Sequence, residues 1–452
     1  MAEPRAAPSV ADARWFGHPR GLATLFFTEM WERFSYYGMR AFLLLYMVNA
    51  LQFDVKHAGK VYGWYTFSAW AAPILGGFVA DRWLGQYRSV LLGGSIIALG
   101  HFTLAFHPLP FFYAGLALVA AGTGLLKPNV STLVGSLYDA GDAGRDAGFS
   151  IFYMGINVGA ALGPLIAGWF AQKVDWHIGF ACAGVGMLLG LTQYVLGKPR
   201  LQPALDRLEA RPRASAAPPL AAAHVPMAGD PPQWFGFTAV EWKRIAAMFV
   251  FFAFAVVFWA GYEQAGSTLN LFGDRYTNRT VLGFNFPSSW FVAVQAIFVI
   301  LLAPGFAWLW VRLGPREPSS PAKFTYGLLF IGLSFLFLIP AARMAQSAPG
   351  ALVGPLWLVG CYFIQELGEL SLSPVGLSVF TKLAPVKIVG MVMGVRFLAD
   401  ALGNWLAGRA AGFFTSVPLA QLFGTVGVIC LAAAAILALL IKPVTRLMGG
   451  VH

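Results

Sequence analysis

The sequence predicts an all-α membrane protein of about twelve transmembrane helices arranged as two six-helix bundles. Three observations predict it. The 452 residues are 58% hydrophobic and only 11% charged, whereas soluble globular chains carry about 25% charged residues. Apolar segments long enough to cross a bilayer recur about twelve times along the chain. One polar stretch, 198–244, rich in Pro, Ala and Arg, cuts that series in half.

The segments fall near 22–48, 58–80, 89–107, 110–137, 148–170 and 178–197. After the polar stretch come 245–270, 288–311, 324–341, 351–380, 388–414 and 419–441. The expected organisation is a cytoplasmic segment 1–21, an N-terminal bundle 22–197, and a cytoplasmic linker 198–244 without extra helices. A C-terminal bundle 245–442 and a cytoplasmic tail 443–452 follow. Lys and Arg number about 20 on the inner segments, among them Arg5, Arg82, Arg88, Arg211, Arg213 and Lys387, against about 6 on the outer ones. That bias places both termini in the cytoplasm. The net charge of +11 therefore reads as topology, not as nucleic-acid binding. Residues 1–20 show no apolar core, so no cleaved signal peptide is expected. Cys182, Cys361 and Cys430 lie in apolar segments as packing residues, with no disulfide or metal spacing.

The first segment carries Glu29, Glu32, Arg33 and Arg40, with Tyr36 and Tyr37 between. The spacing i, i+3, i+4, i+11 makes one polar stripe on a helix. Charges at membrane depth cost about 2.5–3.5 kcal/mol each on insertion scales, so they face a partner or a wet cavity. A mutually neutralised structural cluster and a stripe lining a translocation path are both consistent with this pattern.

Other segments carry buried polar groups of the same kind. Lys127 precedes Pro128 in segment four and needs a carboxylate partner; Pro128 removes a helix hydrogen bond beside it. Tyr153 and Asn157 share a face, as interhelical glue or as ligand contacts. Glu263 in segment seven has no base within a turn of it, and Arg40 is the candidate partner. Glu366 and Glu369 share a face with Ser373, which calls for a cation between the two acids, either Lys127 or a substrate ammonium. Arg396 and Asp400 are spaced for an ion pair within one helix, as a self-neutralising structural arrangement or as a pair that meets cargo.

The loop from Gly76 to Arg88, with Asp81-Arg82 at its centre, resembles the signature loop of the major facilitator superfamily. Around Arg312 the second half carries an echo of it. Two such halves imply rocking about a midplane site. The motif Glu29-x-x-Glu32-Arg33-Phe34-x-Tyr36-Tyr37-Gly38 resembles the proton-dependent oligopeptide transporter family of that superfamily. So do Leu126-Lys127-Pro128-Asn129, Phe152-Tyr153-Met154-Gly155-Ile156-Asn157, Tyr262-Glu263-Gln264-x-Gly266-Ser267 and Gly368-Glu369-x-x-x-Ser373-Pro374.

The resemblance implies a proton-coupled symporter of di- and tripeptides in the inner (plasma) membrane. It would be a monomer in the lipid bilayer, with protons as coupling ion, no cofactor and no nucleic-acid partner. By position it assigns Glu29, Glu32, Arg33 and Glu263 to proton coupling. Arg40 and Lys127 would take the peptide carboxylate and Glu369 the ammonium. Tyr37, Tyr153 and Asn157 would hold the peptide backbone, and Trp259 would shape a side-chain pocket. The chain departs from the family at four of the pocket positions. Trp70 stands for a tyrosine, Gln295 for an asparagine, Arg396 for a tryptophan and Asp400 for a small hydroxyl residue. These four and Ser373 join the substrate-contacting set, and they put side-chain preference in question. A carrier of another small anion or peptide-like compound is the alternative. No HExxH, metal cluster or Ser–His pairing points to an enzyme.

Overall fold

The computed structural model describes residues 14–139, 142, 144–210, 233–234, 236–385 and 388–449. Arg5, Arg211, Arg213 and Lys387 of the inner basic set lie outside them. Fourteen α-helices carry the described chain: α1 Gly21–Asn49, α2 Val55–Val79, α3 Gln86–Leu104, α4 Leu109–Ser136, α5 Gly144–Lys173, α6 Trp176–Leu196, α7 Lys198–Ala210, α8 Ala239–Tyr262, α9 Thr268–Arg275, α10 Trp290–Leu313, α11 Ser320–Ala345, α12 Leu356–Leu383, α13 Val389–Ala411 and α14 Leu419–Leu447. Among the described residues the strands form only two-residue hairpins.

The twelve helices other than α7 and α9 fall on the twelve apolar segments. Seven stretches are long and apolar enough to cross a membrane: α4, α5, α6, α8 through α9, α10, α11 and α14. The remaining five meet the length requirement, but charge and glycine lower their apolarity. The charges on α1 and the Arg396, Asp400 and Arg409 of α13 are the clearest cases. Large apolar side chains such as Leu75, Leu301, Val428 and Leu439 point outward along these helices, a surface that lipid covers.

The linker carries one short helix. Its first residues, Lys198–Ala210, are helical. At about 20 Å it is too short to span a bilayer. Its apolar residues recur three apart, and Leu201 and Ala204 are fully buried. Arg207 anchors it, reaching Asp139 at 3.0 Å and the Ser136 carbonyl at 3.1 Å.

Packing divides the chain into two compact units. One comprises Met1–Met39 with Ala72–Pro218; the other comprises Arg40–Ala71 with Pro219–His452. The second part of α1 and most of α2 thus belong with the C-terminal helices, a grouping the polar linker at 198–244 does not reveal.

In the first unit α3 packs on α4 and α6, and α5 packs on α6. Pro128 lies inside α4 without ending it. Asp81 accepts a hydrogen bond from Gln86 at 2.9 Å across the turn between α2 and α3. Gly85, with φ 75, makes that turn sterically possible. Asp175 caps α6 by accepting the His177 N–H at 2.8 Å. Partial burial pushes the Asp175 carboxyl up. The His177 and Ile178 amides and the His177 ring outweigh that and hold it below the usual carboxylate range.

In the second unit α11 packs on α12 and α14, and α8 packs on α13. A capping box starts α8: Thr238 accepts from the Glu241 amide, and Glu241 accepts from the Thr238 amide. Segment seven does not run through as one helix. After Tyr262 it tightens into a 3₁₀ turn, Glu263–Gly266, before α9 begins.

Candidate functional site

In the first unit the α1 stripe closes on itself. Arg33 Nε donates to Glu29 at 2.7 Å and lies 2.8 Å from Glu32. All three side chains are at most 3% exposed. Lys127 on α4 acts on the charge of Glu32, and Tyr37 on that of Arg33. Arg33 Nη2, Glu29 Oε2 and Glu32 Oε1 have no hydrogen-bond partner among the described residues. Two carboxylates against one guanidinium leave one negative charge over. Lys127 or a proton can balance it.

This cluster is held by close helix contact. α5 presents Gly155, Gly159 and Gly163 at intervals of four. A Cβ on Gly159 would sit 2.1 Å from the Met30 carbonyl oxygen and 2.9 Å from the Arg33 Cβ. Only a missing side chain lets α5 approach Arg33 this nearly. On the same helix Asn157 spends its amide on its own backbone, donating to the Tyr153 carbonyl at 3.0 Å. Tyr153 is 39% exposed.

In the second unit Arg40 forms an ion pair with Glu263, and both are buried. Arg40 Nε donates to the Tyr62 hydroxyl at 2.7 Å. The 3₁₀ turn that carries Glu263 also brings Gly266 against this pair. A Cβ there would lie 1.9 Å from the Tyr62 hydroxyl oxygen and 3.1 Å from Arg40 Nε. The sequence argument named Arg40 and Glu263 but missed Tyr62. The signal was present: a tyrosine within an apolar segment needs a partner for its hydroxyl.

Three further groups lie in this unit. Tyr262 donates to Glu366 at 2.9 Å, and Glu369 acts on the charge of Glu366 from one turn away. Glu369 is buried, and Ser373 follows on the same helix with no hydrogen-bond partner for its hydroxyl among the described residues. Gln295 on α10 donates to Gln365 at 3.1 Å. Arg396 and Asp400 pair within α13, and the Arg396 guanidinium lies 5.6 Å from the Trp259 ring centre. Arg396 is therefore both neutralised and covered by an aromatic face. Trp70 is half-buried near the end of the α2 stretch in this unit.

The described residues include no group of three or more His, Cys, Asp or Glu able to hold a metal. The chemistry on offer is acid–base pairing and ion recognition.

Known proteins resemble this chain along nearly its whole length. A family model described as the POT family matches residues 87–206 and 237–429. The uncharacterized transporter YclF of Bacillus subtilis is 41% identical, over 98% of this chain and 98% of its own. The peptide transporter YePEPT of Yersinia enterocolitica is 37% identical, over 96% of each chain. A crystal structure of a peptide transporter POT in complex with sulfate superposes with a TM-score of 0.85 at 39% identity, covering 98% of both chains.

Proposed function

This chain belongs to the POT family of transporters, a multi-pass membrane protein of the major facilitator fold, and from that premise we propose that it imports di- and tripeptides together with protons. The observation that carries the reading is the buried charge inventory of the second unit. Arg40 pairs with Glu263 and Arg396 with Asp400, while Glu366 and Glu369 add two more carboxyl groups. Buried Lys323 of the same unit is paired with Glu317; among the remaining buried charges, four acids against two bases favour protons and a ligand ammonium. A guanidinium that an acid can release favours a ligand carboxylate. A free peptide carries both termini.

In this mechanism a proton on Glu263 neutralises the partner of Arg40 and frees its guanidinium for the peptide carboxylate. By its motif Lys127 is assigned to substrate recognition, and a proton on the Glu29/Glu32/Arg33 cluster can balance the charge on which Lys127 acts. Glu369 receives the ammonium. Tyr37, Tyr153, Asn157 and Ser373 supply hydrogen bonds, while Trp70, Trp259, Gln295, Arg396 and Asp400 set side-chain preference. The protein works as a monomer in the plasma membrane with both termini cytoplasmic. An inside-negative potential adds about 2.3 kcal/mol per charge per 100 mV.

The experiment is uptake of a labelled dipeptide into proteoliposomes under an inward proton gradient. Accumulation that collapses with a protonophore and is competed by di- and tripeptides supports the proposal. Accumulation indifferent to both overturns it.

A further inference from the structure

Outside this charge network, α2 meets α13 backbone to backbone. A Cβ on Gly59 would sit 2.5 Å from the Gly408 carbonyl oxygen, and one on Gly408 would sit 2.5 Å from the Gly63 Cα. The stem of Lys56 packs at Gly412, whose Cβ would come within 3.4 Å of its Cγ. This approach gathers cations from two helices. Lys56, Lys60, Arg409 and Ser416 line one recess of about 160 Å³ with Gly412 and Phe413.

Among the described residues no carboxylate lines that recess. The acid nearest in sequence, Asp54, is engaged in capping α2, accepting the His57 amide at 2.9 Å. Lys56 and Lys60 stand four apart, a like-charge spacing that destabilises a helix, and Arg409 adds a third positive charge. The three cations are exposed, so their mutual repulsion asks for an anion rather than for burial.

The surroundings favour one source of that anion. Lys56, Lys60 and Trp64 recur every four residues along one face of α2, and Trp64 is 56% exposed. Its ring lies 6.1 Å from that of Trp405, over which the Arg409 guanidinium sits at 5.3 Å. Phe413 is also 56% exposed. The cations occupy the first turns of α2 and the last turn of α13, where membrane helices reach the headgroups. Tryptophan beside lysine and arginine is the composition of that layer.

We propose that Lys56, Lys60, Arg409 and Ser416 form a binding site for the phosphate of an anionic phospholipid headgroup, which ties α2 to α13. The acyl chains lie along Trp64 and Phe413. The bound phosphate relieves repulsion among the three cations, so it stabilises the state in which α2 and α13 touch.

The test compares thermal unfolding of the full chain in two kinds of nanodisc: phosphatidylcholine alone, and phosphatidylcholine with a quarter replaced by phosphatidylglycerol. The wild type is expected to gain about 2–4 °C or more with phosphatidylglycerol. The K56Q/K60Q/R409Q variant is expected to unfold in phosphatidylcholine at a midpoint no lower than that of the wild type, because its repulsion is gone, and to lose that gain. Native mass spectrometry, counting phosphatidylglycerol retained per chain, should show the same loss, and K60Q alone should weaken it. An equal gain in wild type and triple variant overturns the site, as does no gain in the wild type. A full gain from millimolar inorganic phosphate in detergent overturns the lipid as its occupant.

Discussion

Arg40 and Glu263 are joined in a buried ion pair, and the guanidinium is held from a second direction by the Tyr62 hydroxyl at 2.7 Å. A charge pair of this kind is stable only while both members stay ionised. Losing one partner strands the other in a low-dielectric site, at about 3–5 kcal/mol.

Glu263→Gln removes the titratable group and keeps the shape. Uptake of dipeptide driven by a pH gradient should fall at least tenfold, while exchange of internal for external peptide should persist. Proteoliposome assays of both modes check this. Normal concentrative uptake by the variant would show that Glu263 is not the coupling acid.

Gly266→Ala places a methyl group on the Tyr62 hydroxyl, which must then leave Arg40. Tyr62→Phe removes the same hydrogen bond without the clash, at about 1–3 kcal/mol. Both variants should lower peptide uptake and thermal stability, with Gly266→Ala the more severe. Equal effects would mean that the clash at Gly266 is relieved elsewhere.

Asp400→Ala leaves Arg396 buried beside Trp259 without its helix partner, at about 3–5 kcal/mol. The double variant Arg396→Met/Asp400→Ala removes both charges and should regain most of that loss. Thermal unfolding of the two singles and the double measures the coupling. Additive losses would contradict the ion pair.

Asp175→Ala removes the α6 cap and should cost about 1 kcal/mol near neutral pH. The native carboxyl titrates below its usual value, so its ionised form is favoured by folding. That contribution is present above about pH 4, the unfolded value, and fades as pH falls through the lower native one. Asp175 is 46% exposed, so salt should weaken the effect. Midpoints of wild type and variant, compared from pH 7 down to pH 3, should converge at the acid end.

The helices were legible because apolar runs of spanning length have few other uses. The buried charges were legible for the same reason: an ionised group in such a run stands out. Arg40 and Glu263 could be paired on charge alone. Tyr62 was marked only by its hydroxyl, a weaker signal than a charge in an apolar run, although its partner Arg40 lies just 22 residues away. The short helix α7 escaped because Pro199, Pro203 and the polar residues around them mask a three-residue apolar spacing that only packing reveals. The affiliation of Arg40–Ala71 with the C-terminal helices depends on contacts between distant segments, which linear composition does not encode. The 3₁₀ turn at Glu263 carries no proline and has no local marker.

The glycine seam between α2 and α13 has a mechanical consequence. Where two backbones touch directly, no rotamers must be reset when they separate and none frozen when they rejoin. Such a surface opens and closes at little cost in side-chain order, so what binds among the cations at its rim can decide how firmly it holds.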